Sequence, residues 1–178
     1  MLKRLVIDGY GQLELNQVAF RRDGRIEAQS KLANGIDFVE NGMLLEIDPV
    51  KHEVKLPAAN SGLIALNYSA EHIYDERTPG LKNFKLEKNS FLPRLGYLSV
   101  GDKFTTNCIS YDTDTYASET VLKTAIANAA SAAVYGEPAT DGSIKIVNAA
   151  PEGSVSLKVV GATTMPDGQY AVKFISLK

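Results

Sequence analysis

The chain has one cysteine, no tryptophan and two histidines. Cys108 alone cannot form an intramolecular disulfide, and with only His52 and His72 beside it an ordinary closed zinc site is out of reach. Stability must therefore come from packing or assembly. A net charge of −2 denies the protein the overall cationic field of a nonspecific nucleic-acid binder. Long apolar runs are missing too: the first residues reach only Leu5-Val6-Ile7 before Asp8, far short of a signal-peptide core or a membrane span. The expectation is a protein made and folded in a cytoplasm, without a signal peptide. In that setting the sequon Asn67-Tyr68-Ser69 is a chance match. No G-x-S-x-G nucleophile motif occurs.

What the chain does have is turns. Asp-Gly or Asn-Gly pairs stand at Asp8-Gly9, Asp23-Gly24, Asn34-Gly35, Asn41-Gly42, Asp141-Gly142 and Asp167-Gly168, mostly beside short stretches of alternating apolar and polar residues. Glycine has no Cβ to clash at positive φ, and Asn and Asp tolerate the left-handed region, so these pairs suit tight hairpins. The fold class read from this pattern is mainly β: antiparallel hairpins forming a small barrel or sandwich, with a long loop excursion and at most one Ala-rich helix. A composition of 44% hydrophobic and 22% charged residues is that of a globular chain with a real core. Its 178 residues fit an N-terminal β-hairpin region over 1–57 and a β-barrel or sandwich domain over 58–178, or one continuous domain.

Along the chain, 12–20 and 25–32 read as a hairpin closed by Asp23-Gly24, and 38–39 with 43–47 as a strand-turn-strand unit around Asn41-Gly42. A short strand over 53–56 follows, bracketed by Pro49 and Pro57, which lack the amide a central ladder needs. Residues 61–68 (SGLIALNY) suit a buried strand. Residues 95–100 and 103–110 look like two strands joined by Gly101-Asp102. The stretch 118–134 (SETVLKTAIANAASAAV) has helical spacing and a cap at Ser118 or Thr120, a strand plus loop being the alternative. Candidate strands at 133–137, 143–147, 154–160 and 169–177 complete the tail.

Residues 69–93 differ. Periodicity is poor and turn residues are dense, yet Tyr74, Phe84 and Phe91 are too apolar for a merely solvated loop. They either pin the excursion to the core or face a partner. Elsewhere, Asp112-Thr113-Asp114 reads as a solvated turn rather than a Ca²⁺ loop, because no bidentate Glu follows at the right distance. Asp75, Glu76 and Arg77 read as loop ion pairs, Gly9-Tyr10-Gly11 as a turn, and Arg21-Arg22 with Arg25 as a solvated basic tip. Cys108 reads as a small buried hydrophobe. No catalytic residue, metal ligand or cofactor site is assigned.

Three segments together resemble phage virion proteins, in particular small head-decoration and auxiliary capsid proteins. They are 39–48 (VENGMLLEID) with 53–57 (EVKLP), then 93–107 (PRLGYLSVGDKFTTN), then 164–170 (TMPDGQY). The resemblance implies a β-rich, non-enzymatic virion structural protein that binds major capsid or other virion subunits; a homo-oligomer is the expected state, and the charge and hydropathy above argue against a membrane or nucleic-acid partner. Contacts on a repeated lattice use aromatic and Arg anchors in exposed loops, which nominates Tyr74, Arg77, Phe84, Phe91 and Arg94 as partner-binding residues. Two other classes stay open. A ligand-binding β module for a host surface or glycan would need an aromatic groove. An OB-like single-strand nucleic-acid binder would need stacking platforms flanked by cations, hinted at only by Lys103-Phe104 and Lys173-Phe174.

Overall fold

The computed structural model describes residues 1–20, 28–69 and 81–178, of which 37% are strand and 7% helical. Among the described residues the protein is mainly β, with one α-helix. In chain order the strands are β1 (Leu2–Arg4), β2 (Leu13–Gln17), β3 (Lys31–Leu32), β4 (Phe38–Val39), β5 (Leu44–Asp48), β6 (Glu53–Lys55), β7 (Ile64–Asn67), β8 (Leu86–Glu87), β9 (Leu95–Gly96), β10 (Lys103–Thr106) and β11 (Ile109–Asp112). Helix α1 (Glu119–Ala127) comes next, then β12 (Tyr135–Pro138), β13 (Ile144–Val147), β14 (Leu157–Thr164) and β15 (Tyr170–Ser176).

Eight strands form the larger sheet, in the order β1-β11-β13-β12-β14-β15-β10-β2. Its two edges are consecutive in sequence, and this forces curvature. Laid flat, eight strands would hold β1 and β2 about 34 Å apart. The link from Arg4 to Leu13 reaches at most about 30 Å when fully extended, and it turns at Gly9, where φ is 89°. The sheet accordingly curls into a half-barrel. Inside the curl lies the first core, including Phe104, Phe174, Ile109, Ile144, Ile146 and Val172, all essentially inaccessible. Phe104 and Phe174 pair across β10 and β15 with ring centroids 5.6 Å apart.

The smaller sheet is β3-β6-β5-β7-β9; its β5–β7–β9 part is buried on both faces, whereas the β3–β6 side turns Lys31, Glu53 and Lys55 toward solvent. Alternation along β5 and β7 explains how: Leu44, Ile64 and Leu66 join the first core, whereas Leu45, Ile47 and Ala65 join a second one with Val39, Val54, Leu86, Leu95 and Cys108. Over the second core lies a two-stranded ribbon, β4 with β8, which buries Val39 and Leu86 and turns Phe38 and Glu87 outward. Strands from both sides of residue 57 share each sheet, since β1 and β2 pair with β11 and β10, and β5 pairs with β7.

Several expected local units take other partners. The turn expected at Asp23-Gly24 lies outside the described residues; of the strands flanking it, β2 pairs with β10, and β3 pairs in parallel with β6 in the other sheet. Burial of Leu32 against Val54 in the second core decides the second pairing. Likewise β4 pairs with β8 instead of β5, and β9 lies in a different sheet from β10. The strand expected over 103–110 breaks at Asn107-Cys108, which separates β10 from β11. Two pairings, β3–β6 and β11–β13, are parallel, so the sheets are mixed. The expected hairpins β12–β13 and β14–β15 do form, closed by Asp141-Gly142 and Asp167-Gly168. Gly9, Gly35, Gly42, Gly142 and Gly168 all have positive φ.

Helix α1 begins where the cap residue predicts. Ser118 is extended, and its hydroxyl accepts a hydrogen bond from Val121 N at 3.3 Å. The helix ends earlier than the Ala-rich pattern suggests, because Asn128 turns its side chain back onto the Thr124 carbonyl at 3.1 Å. Leu122 and Ile126 are its fully buried residues and cover the first core. No helix among the described residues is long and apolar enough to cross a membrane.

Candidate partner-binding surface

The described part of the excursion, from residue 81 onward, is pinned at both ends. On its N-terminal side, Lys82 pairs with Asp8, and its carbonyl accepts a hydrogen bond from Tyr10 N at 2.6 Å. Gly9 is required there, since a Cβ would sit 2.1 Å from the Lys82 oxygen. Next, Lys88 N donates to the Asp37 carbonyl at 2.8 Å, and Lys88 Nζ donates to Asn34 Oδ1 at 3.2 Å. A tight turn follows, in which Ser90 N and Oγ both donate to the Glu87 carbonyl while Asn89 takes φ 66°.

On the far side, Pro93 is buried. Arg94 N donates to Ser69 Oγ at 3.0 Å, and the Arg94 carbonyl accepts from Tyr68 N at 3.0 Å. Ser69 Oγ in turn donates to Asn67 Oδ1, and Asn67 Nδ2 to the Glu40 carbonyl at 2.8 Å. Between these anchors stand Phe91, 76% exposed, and Leu92, 47% exposed. They form an apolar knuckle on a hydrogen-bonded frame. Ordering on association costs entropy for each side chain and loop immobilised, so such a frame lowers the cost of binding.

Of the three nominated residues that are described, Phe84, Phe91 and Arg94, it is Phe91 that stands out into solvent. Phe84 packs against the second core and pins the excursion, the other reading open to it. Arg94 is half-buried, with both backbone polar groups engaged. Tyr74 and Arg77 lie outside the described residues. The structure adds Leu92, which sequence reasoning passed over as a neighbour of Pro93.

A second aromatic cluster lies on the ribbon. Tyr10 and Phe38 meet edge to face at 5.5 Å, and Lys85 Nζ stands 5.3 Å and 4.9 Å from their ring centres. A hydrogen bond to Glu87 is the main reason the Lys85 ammonium titrates above its ordinary range. The rings are thus covered by a cation that is itself paired, at 3.2 Å. Nothing in the sequence links residues 10, 38 and 85: the β4–β8 pairing brings Phe38 beside Lys85, and the hydrogen bond from Tyr10 N to the Lys82 carbonyl brings Tyr10 to them.

A groove of about 320 Å³ is lined by Leu2, Asn60, Asp112, Glu137, Pro138 and Lys145 among others, and its Glu137 and Lys145 are paired at 2.6 Å. Among the described residues no three His, Cys, Asp or Glu side chains are grouped to hold a metal ion. His52 sits at φ 52° in the turn between β5 and β6. Asp112 Oδ1 accepts from Asp114 N at 3.1 Å, closing the expected turn. Cys108 is fully buried, and burial pushes its thiol pKa up to about 12. We therefore expect no reaction of the native protein with a thiol-specific disulfide reagent at pH 8, and one equivalent after denaturation. Rapid labelling of the folded protein would contradict this placement.

No family model matches the chain, and neither a curated protein nor a solved structure does.

Proposed function

We propose that this chain is a non-enzymatic virion structural protein that decorates or stabilises a phage capsid by binding major capsid subunits. The observation that carries the binding reading is the knuckle. Phe91 and Leu92 are large apolar side chains held out from a hydrogen-bonded turn, in the manner of an interface anchor awaiting its pocket. The virion assignment rests on the three-segment resemblance, and a mainly β framework suits a subunit seated on a repeated surface.

The test is co-sedimentation with heads of the encoding phage stripped of accessory proteins. Binding is expected to saturate at a simple ratio of copies per major capsid subunit. Phe91→Ala and Leu92→Ser are expected to weaken it about 30-fold or more each, the effect of losing a buried anchor worth about 2 kcal/mol. Because both side chains are exposed, thermal stability should be unchanged within about 0.5 kcal/mol. A folded protein that leaves heads unbound overturns the capsid assignment. Wild-type affinity in both variants would remove the knuckle from it.

A further inference from the structure

The larger sheet contains an edge inside it. β12 pairs with β14 only at Tyr135–Lys158 and Gly136–Leu157, with one more bond from Val159 N to the Val134 carbonyl at 3.1 Å. β14 then runs on to Thr164, paired only with β15. A bulge between Val159 and Gly161 marks the departure. Beyond it Ala162, Thr163 and Thr164 are exposed, and a Cβ on Gly161 would point into open space. Helix α1 packs against β14, with Lys123 Nζ 4.8 Å over the Tyr170 ring of β15, and Ala162, Thr163 and Thr164 stay exposed beside it.

Alternation fixes which backbone groups are free. Met165 N donates to the Gln169 carbonyl at 2.8 Å, continuing the β14–β15 ladder. Counting back, Thr163 and Gly161 point their amides at β15, and Ala162 and Thr164 point theirs away. The other outer strands are blunted in ordinary ways: β1 carries Lys3 and Arg4, β2 carries Glu14, and β3 and β9 are two residues each. The stretch from Val160 to Thr164 has no charge and no proline.

The geometry points to self-association through this edge, with the β14 strands of two copies pairing antiparallel about a two-fold axis at Thr163. Antiparallel pairing requires outward residues to oppose outward residues. A two-fold at Thr163 sets Ala162 against Thr164 of the second copy and uses all four outward groups on each strand, forming four hydrogen bonds. A two-fold at Ala162 would form two. The Thr163 centre also opposes two threonines, a favourable cross-strand pair, and a strand without charge meets its own copy without repulsion. A charged partner would find nothing here to pair with.

The experiment is sedimentation velocity of the purified chain up to about 100 µM, a range that populates a dimer of micromolar Kd. The wild type is expected to show a concentration-dependent dimer. Thr163→Lys and Thr163→Glu should each abolish it, by setting like charges directly opposite. An equimolar mixture of the two should restore it. Thr164→Pro, which removes only an outward amide, should weaken the dimer about 10-fold or more through two lost hydrogen bonds. A wild type that stays monomeric, a dimer unaffected by Thr163→Lys, or folded variants whose mixture stays monomeric would each overturn the proposal. No heads are present, so the result is independent of the capsid reading.

Discussion

Replacing Glu40 with alanine is expected to cost about 3 kcal/mol, the range seen when one partner of a buried ion pair is removed, and to lower the melting temperature by about 10 °C for a chain of this size. The Glu40 side chain is only 5% exposed. It accepts from Arg4 Nη1 at 2.8 Å and Nη2 at 2.9 Å, a two-pronged pair, and from Gly11 N at 2.6 Å. Hydrogen bonding to Glu40 is the main reason the Arg4 guanidinium is held even further above its ordinary range. Alanine would leave a half-buried cation and a buried amide without their acceptor. The carboxylate also joins parts of the chain that are distant in sequence: β1, the 5–12 link and the segment leading into β5. Loss of Glu40 should therefore loosen the seam between the two sheets. Differential scanning calorimetry reads the effect. Glu40→Gln, which keeps acceptor oxygen but loses charge, should fall between wild type and alanine. An alanine variant melting within 2 °C of wild type would mean that the pair contributes nothing net, as many ion pairs do.

Neither Arg4 nor Glu40 draws notice in the sequence, and the reason is physical. Local periodicity reports whether a residue faces inward or outward, and short-range turn chemistry reports where the chain reverses. Both signals worked where partners are neighbours, as in the hairpins closed by Asp141-Gly142 and Asp167-Gly168 and the start of α1 at Ser118. They fail where pairing spans most of the chain. β1 finds β11, and β2 finds β10, because a curled eight-stranded sheet must return to its N-terminal edge strands. Three residues after β2 ends, Phe20 takes a positive φ and stacks its ring on Tyr68 at 5.2 Å, a change of direction no turn motif announces. At the candidate surface, Phe84 and Phe91 look alike in an aperiodic segment. Only the β4–β8 ribbon, with Leu86 turned inward, sends Phe84 to the core and leaves Phe91 outside.

The Asn41-Gly42 pair shows the same limit, and it carries the other large expected effect. As a sequence it reads as a hairpin turn; in the structure it lies tightly against Thr106 and Cys108, in and beside strand β10 of the larger sheet. Gly42 has φ 83°, and a Cβ there would lie 2.1 Å from Thr106 Oγ1, 3.0 Å from Thr106 Cβ and 3.2 Å from Cys108 Cβ. Thr106 cannot simply rotate away, since its hydroxyl donates to the Gln12 carbonyl at 2.6 Å and accepts from Cys108 N at 3.0 Å. Nor can Gly42 retreat freely while its amide donates to the Asn67 carbonyl at 2.9 Å. Gly42→Ala should therefore combine backbone strain of about 1–2 kcal/mol with about 1–3 kcal/mol from a disrupted buried hydrogen bond. The sum is about 2–5 kcal/mol, enough at its upper end to threaten folding of a marginally stable chain. Gly35→Ala and Gly168→Ala share the positive φ but meet open space, so they should cost only about 1 kcal/mol each. Urea denaturation of the three variants separates strain from collision. Adding Thr106→Ala to Gly42→Ala should recover about 1–2 kcal/mol relative to the sum of the single costs. Strict additivity, or equal losses at all three glycines, would mean that the close approach at Thr106 does not hold the two sheets together.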